Sequence, residues 1–152
     1  MPTGEHSAFV VYTDGGSRGN PGPAALGFAI YDKQGRLVKK HGEYLGTTTN
    51  NEAEYRAAIS ALKKLKALIG KEKAKKADVL VRADSELVVK QMTGRYKVEH
   101  PTTQQFFIQL WNLKLDFKSV SFEAVPREQN KVADAMVNEA LDEATGKRPS
   151  LF

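Results

Sequence analysis

Four acidic residues occupy positions where a charge needs a reason. Asp14 follows the apolar run 8–13 and opens a glycine-rich stretch, 14–23. Asp84 follows a second apolar run, 79–83. Glu54 falls on the apolar stripe formed by Ala58, Leu62, Leu65 and Ile69, four residues before Ala58. Asp134 stands three residues before Val137 and seven before Leu141, again on an apolar stripe. A charge turned toward an apolar face is costly unless it is paired or binds a metal. The helix dipole explains an acid in a first turn, but not one that points inward. Four carboxylates brought together would repel one another and raise one another's pKa, and divalent cations relieve that repulsion. Hard oxygen donors suit Mg²⁺ or Mn²⁺ rather than zinc. Two such ions roughly 4 Å apart can activate water and stabilise the leaving oxygen of a phosphodiester. The residues therefore point to two-metal phosphoryl transfer, against the plainer alternative that each acid is a surface charge or a cap.

The elements that must position these acids can be read along the chain. Residues 8–13 are apolar on both faces, as in a central strand. The stretch 14–23 (DGGSRGNPGP) is expected to be irregular. Residues 25–31 and 36–45 form a hairpin about the turn Asp32-Lys33-Gln34-Gly35, and 46–49 is a polar loop. Asn50 or Asn51 caps a long helix that Gly70 ends, and 71–76 is a charged linker or frayed end. Residues 79–83 make a strand, and 85–92 a short helix stopped by Thr93-Gly94. Pro101 opens a helix to about residue 117, with Phe106, Phe107 and Trp111 among its core residues. Residues 120–124 alternate as a half-wet strand, and 130–144 is the last helix. The order βββαβααβα implies an α/β fold with one mixed five-stranded sheet, flanked by helices. The first three strands are antiparallel, and the later two run parallel to the first. Asp14 and Asp84 then share the carboxyl-end edge where such sheets place their sites.

The rest of the composition sets bounds. The 152 residues fit one domain, 8–144, with a short extension 1–7 and a polar tail 145–152 ending in Leu151-Phe152. Without cysteine there is no disulfide framework, cysteine-ligated zinc finger, iron–sulfur cluster or thiol nucleophile. No apolar stretch is long enough to span a membrane, residues 1–7 lack a signal-peptide core, and the expected location is cytoplasmic. The net charge is +5, yet residues 63–76 alone hold seven lysines and one glutamate. That local ridge suits a polyanionic partner or simply a solvated helix face. His6, His41 and His100 are scattered and read as surface residues.

The ordered set Asp14-Gly15-Gly16-Ser17-Arg18-Gly19-Asn20-Pro21-Gly22, Thr49-Asn50-Asn51-Glu52-Ala53-Glu54, Ala83-Asp84-Ser85 and Asn130-Lys131-Val132-Ala133-Asp134 resembles the type 1 ribonuclease H family over about residues 8–144. The resemblance implies a ribonuclease H-like fold and a monomeric endonuclease. It would cut the RNA strand of RNA–DNA hybrids and leave 5′-phosphate and 3′-hydroxyl ends, with duplex RNA as a side substrate. It implies two Mg²⁺ or Mn²⁺ ions, with Asp14 bridging them. Asp134 would hold the ion that delivers the attacking water, and Glu54 and Asp84 the ion near the leaving 3′ oxygen. Asn20, Asn50 and Asn51 match the family's hybrid-contacting motifs, although Asn50 serves equally well as an N-cap. Thr49 matches its phosphate-pocket threonine. Gly15 and Gly16 let backbone come close to a nucleic-acid backbone. Ser17 and exposed N–H groups are placed to read phosphate or the 2′-hydroxyl. Ser85 either touches RNA or caps the following helix.

Three features depart from the best-known members. The loop before Asp134, residues 125–130, has no histidine, and its only cation, Arg127, is the candidate for an electrostatic substitute. No lysine- and tryptophan-rich helix follows the short helix, so the chain resembles the compact form of the family. Arg95 and Tyr96 (with Lys97) are expected to touch the DNA strand weakly in its place, unless Tyr96 only covers the core. The third departure is the lysine ridge itself, which lies far along the helix from Glu54. Two other readings compete: a different nuclease on the same fold, such as a resolvase, a transposase domain or a duplex-RNA nuclease, and a non-catalytic binding module.

Overall fold

The computed structural model describes residues 7–146. His6, Leu151 and Phe152 lie outside them. The strands are β1 (Ser7–Ser17), β2 (Gly22–Tyr31), β3 (Leu37–Thr48), β4 (Ala77–Ala83) and β5 (Ser119–Ala124). The helices are α1 (Asn50–Ile69), α2 (Lys71–Ala74), α3 (Glu86–Met92), α4 (Pro101–Lys114) and α5 (Lys131–Thr145). One five-stranded sheet has the order β3-β2-β1-β4-β5. β1 pairs antiparallel with β2, and β2 with β3, while β4 runs parallel to β1 and β5 parallel to β4. The expected mixed sheet is therefore the observed one. Among the described residues, no helix is long and apolar enough to cross a membrane.

The core follows from the patterning. α1 packs on β1, β2 and α4, burying Ala58, Leu62 and Leu65 from the stripe that carries Glu54. They meet Val11, Leu26, Phe28, Ile30, Val79 and Val81 from the sheet. α5 lies against β2 and β3 and buries Ala133, Met136, Val137 and Leu141. It sits close because glycine lines its seat: a Cβ on Gly27 would collide with the Ala133 carbonyl oxygen, and one on Gly42 with that of Met136. Gly27 is also the ladder partner of Asp14. The contact that seats α5 thus brings Ala133, and Asp134 after it, down beside Asp14.

Several sequence expectations need correction. The glycine-rich stretch is mostly regular: β1 continues through Gly15, Gly16 and Ser17, which pair with Leu26, Ala25 and Ala24. Glycine permits irregularity but does not impose it, and here the neighbouring strand supplies the ladder. Likewise 46–49 is not a loop up to Thr48, because β3 stays paired as far as Gly22↔Thr48. Thr49, not Asn50 or Asn51, is the N-cap of α1, its hydroxyl accepting from the Glu52 N–H at 3.2 Å. Residues 71–76 contain the helical turn α2, held by the burial of Ala74. Trp111 is not core. It is 44% exposed and stacks on Phe107 with centroids 5.8 Å apart, under the Lys114 ammonium. The face of α4 turned inward runs through Phe106, Phe107, Leu110 and Leu113.

Candidate active site

The parallel pairing of β1 and β4 ends at Thr13↔Ala83, so Asp14 and Asp84 leave adjacent strands side by side. Glu54 comes from α1 and is oriented by the Gly15 N–H, which donates to its Oε1 at 3.0 Å. Gly15 permits this approach, since a Cβ there would strike the carbonyl of Ala53. Carboxylate oxygens of Asp14, Glu54 and Asp84 lie within 4.8 Å of one another. Asp134 lines the same cleft from α5, where its charge acts on Asp14, but it is not among the three acids grouped within 4.8 Å. The start of α5 is fixed by Asn130. Its buried side chain donates to the Thr13 carbonyl at 2.8 Å, and its own carbonyl accepts the Asp134 N–H at 3.0 Å. Thus Asn130 links the residue preceding one acid to the backbone of another.

Burial is the main cause of the electrostatic strain. It pushes the Asp14 carboxyl up from 3.8 to about 8, with further contributions from the charges of Asp84 and Asp134. Burial likewise holds Glu54 well above the usual carboxylate range, assisted by Asp14 and Asp84. The Gly15 N–H and the Arg127 guanidinium oppose that rise only in part. Asp84 Oδ1 is buried with no hydrogen-bond partner. A buried carboxylate oxygen without a donor is costly, and it needs a cation more than it needs another acid. The donors are all carboxylate oxygens, the set preferred by Mg²⁺ and Mn²⁺. The residues fit a hard divalent ion.

The acids line a cleft of about 390 Å³ together with Gly15, Gly16, Ser17, Arg18, Asn50, Arg127 and Asn138. A larger cavity of about 480 Å³ lies behind the β5–α5 loop against Tyr12, Tyr31 and Arg82, and none of the four acids lines it. Asn50 Oδ1 accepts from the Ser17 N–H at 2.9 Å and faces the Ser17 hydroxyl at 3.2 Å, while the Asn50 N–H donates to Asn20 Oδ1 at 2.9 Å. Asn50 therefore fastens the glycine-rich segment to the start of α1. Ser85 caps α3, its hydroxyl accepting from the Val88 N–H at 3.3 Å. A second groove gathers Asn20, Thr49 and Asn51 with His100, Thr102 and Thr103 at the start of α4. Arg127 Nη2 stands 3.6 Å from Asp134 Oδ1 at the mouth of the cleft. Tyr96 does not cover the core: it is 49% exposed, with the Lys90 ammonium 5.1 Å from its ring centre. Arg95 is exposed on the same segment. Part of the lysine ridge is structural, because Lys66 pairs with Asp116 at 3.1 Å.

Reading the sequence missed Arg18 and Asn138 as cleft residues and His100, Thr102 and Thr103 as groove residues. Asn138, four residues after Asp134, was accessible through helical spacing. The others meet their neighbours only through the fold.

The chain is an α/β domain whose sheet edge carries a carboxylate cluster of the kind that could hold a metal ion, and comparison with known proteins narrows that class. A family model described as reverse transcriptase-like matches residues 12–140. A Halobacterium salinarum protein called ribonuclease HI is 42% identical over 133 residues, which is 88% of this chain and 64% of the relative. A bifunctional protein of Mycobacterium tuberculosis is 40% identical over 136 residues, 89% of this chain but 36% of that protein. The chain thus spans less than two thirds of either relative. The crystal structure of LC11-RNase H1 in complex with an RNA/DNA hybrid is similar at 45% identity and a TM-score of 0.85, covering 90% of this chain and 99% of that one. The RNase H1 structure from Halobacterium salinarum gives 39% identity and 0.83, with 90% and 98% covered. The chain belongs to the type 1 ribonuclease H family. Residues 93–100 join α3 to α4 with no helix between them, in keeping with a compact member.

Proposed function

We propose that this chain is an endoribonuclease that hydrolyses the RNA strand of RNA–DNA hybrids, leaving 5′-phosphate and 3′-hydroxyl ends. The observation that carries this reading is the convergence of Asp14, Glu54 and Asp84 within 4.8 Å, with Asp84 Oδ1 buried and unpartnered. The hybrid bound by the similar LC11 enzyme supports the choice of substrate. Asp14, Glu54, Asp84 and Asp134 would hold two Mg²⁺ or Mn²⁺ ions, which supply a polarised phosphate and an activated water. The chain's own part is to place the acids before substrate arrives, through the Gly15 N–H on Glu54 and the Asn130 link to Asp134. The Gly15–Ser17 backbone forms the cleft wall along which a sugar–phosphate strand would lie. Asn20, Thr49 and Asn51 stand in the neighbouring groove, placed for the second strand.

The test is cleavage of labelled hybrid, duplex RNA and duplex DNA with Mg²⁺, with Mn²⁺ and with neither. The expected result is metal-dependent cutting of the RNA strand of the hybrid and intact duplex DNA. Binding to hybrid without cutting in either metal overturns the reading in favour of a binding module. Cutting of duplex RNA alone points to another nuclease on this fold.

Arg127 extends the reading. An arginine cannot act as a base at neutral pH, so any contribution is electrostatic, at the scissile phosphate or in release of a metal ion. Its position beside Asp134 fits that role. Arg127→Ala is expected to lower turnover about tenfold, or ~1.4 kcal/mol in the barrier. Unchanged turnover and metal dependence would leave Arg127 an ordinary loop residue.

A further inference from the structure

We propose that Asn138 is a positioning residue for Asp134, and that Arg18 and Asp142 hold it in that role. The inference rests on the reading of the cleft as a divalent-metal site. Asn138 lies one helical turn beyond Asp134. Its Nδ2 donates to the Asp134 carbonyl at 3.1 Å and faces Asp134 Oδ2 at 3.4 Å. Its Oδ1 accepts from Arg18 Nη2 at 3.3 Å, and the same Nη2 pairs with Asp142 Oδ1 at 2.7 Å. Arg18, Asn138 and Asp134 all face the cleft.

Asp134 is the acid of the cleft that reaches farthest toward solvent on α5, and it gains from such help. Its side chain is 31% exposed, whereas Asp14 is buried and Glu54 is held by a backbone N–H. Arg127, itself 76% exposed, stands 3.6 Å from Oδ1, so the Asn138 amide facing Oδ2 is the better-anchored partner. An amide suits the task because it is neutral: it orients the carboxylate and leaves its charge for an ion. A lysine or arginine at 138 would pair with Asp134 and compete with the metal. An amide can also flip, and the flipped form would aim its oxygen at the carboxylate. Arg18 prevents the flip, because a guanidinium only donates and so demands the amide oxygen. Arg18 brings a positive charge into the cleft, and Asp142, two turns along α5 from Asp134, takes it up. The chain Asp142–Arg18–Asn138–Asp134 thus fixes the last acid while keeping a competing cation engaged elsewhere. Groups that orient metal ligands typically affect metal affinity or activity by about 10–100-fold.

The experiment titrates Mn²⁺ against the protein without nucleic acid and follows the rise in melting temperature. An ion at free concentration c that binds only the folded state stabilises it by RT ln(1 + c/Kd), so the Mn²⁺ concentration that gives a fixed rise, taken as the midpoint, moves with Kd. Hybrid cleavage is measured on the same preparations. Asn138→Ala is expected to raise the Mn²⁺ midpoint about tenfold. Arg18→Ala and Asp142→Asn should raise it less, and Arg18→Ala should add nothing in the Asn138→Ala background. A lower metal-free melting temperature with an unchanged midpoint would make Asn138 merely structural and overturn the proposal. So would fully additive effects of Arg18→Ala and Asn138→Ala. If the wild type shows no metal-dependent stabilisation, the metal-site reading and the proposal fall together. If the midpoints shift as expected but no hybrid is cut, the proposed function fails and the positioning role stands.

Discussion

Asp14→Asn is expected to abolish cleavage of the hybrid in both Mg²⁺ and Mn²⁺ and, at pH 8, to raise the melting temperature of the metal-free protein above wild type. The two effects have one cause. Asp14 is buried at the centre of the site, and its carboxyl is raised to about 8 by burial and then by Asp84 and Asp134. The folded chain therefore takes up a proton there that the unfolded chain, titrating near 3.8, has already released. Stability from this group is present below about pH 4 and is lost as pH rises toward 8. Glu54, also raised, acts in the same direction. The wild-type metal-free protein should thus melt progressively lower between pH 4 and 8, and saturating Mg²⁺ should reverse much of that loss. An asparagine carries no charge to desolvate, so the variant should show a flatter profile and a smaller response to metal. Melting curves at pH 5 and pH 8, with and without Mg²⁺, check each part. A variant that is inactive but less stable than wild type at pH 8 would show that Asp14 is not the strained group described here.

How much of this site was visible in the sequence depended on whether the signal was local. The four acids were, because each sat against an apolar pattern of the right period, and parallel pairing of two strands was enough to bring Asp14 and Asp84 together. The cap of α1 was not, because Thr49, Asn50 and Asn51 are all good capping residues and only backbone geometry chooses among them. Nor was the role of Asn50, whose partners Ser17 and Asn20 lie about thirty residues back in the chain. Trp111 misled through periodicity. Phe106, Phe107 and Leu110 reach the core, whereas Trp111, one turn beyond Phe107, stacks on it from the solvent side. Along a helix rich in apolar residues, spacing alone does not say which ridge is buried. The pairing of Arg18 with Asp142 has no local trace at all.

The adjacent glycines Gly15 and Gly16 look alike in sequence and should behave very differently when each is changed to alanine. A Cβ on Gly15 would collide with the Ala53 carbonyl and crowd the Glu54 N–H, all backbone atoms of α1 that cannot rotate away. A Cβ on Gly16 meets only Asn50 Oδ1 at 3.9 Å and Val137 Cγ1 at 4.0 Å, ordinary contact distances. Gly15→Ala must therefore push the start of α1 off β1. Overpacking of this kind typically costs about 1–3 kcal/mol, and occasionally more. At roughly 2–4 °C per kcal/mol for a domain of this size, the melting temperature should fall by several degrees. The displacement also stretches the Gly15 N–H to Glu54 Oε1 hydrogen bond, now 3.0 Å, and moves Glu54 away from Asp14 and Asp84. Turnover should drop with the lost ligand geometry, and added Mn²⁺ should restore only part of it. Gly16→Ala should melt with the wild type, so any activity it loses reports approach of the substrate strand to the cleft wall rather than damage to the fold. Equal melting temperatures for the two variants would mean that α1 can shift without cost, and that close backbone contact at Gly15 does not set the position of Glu54.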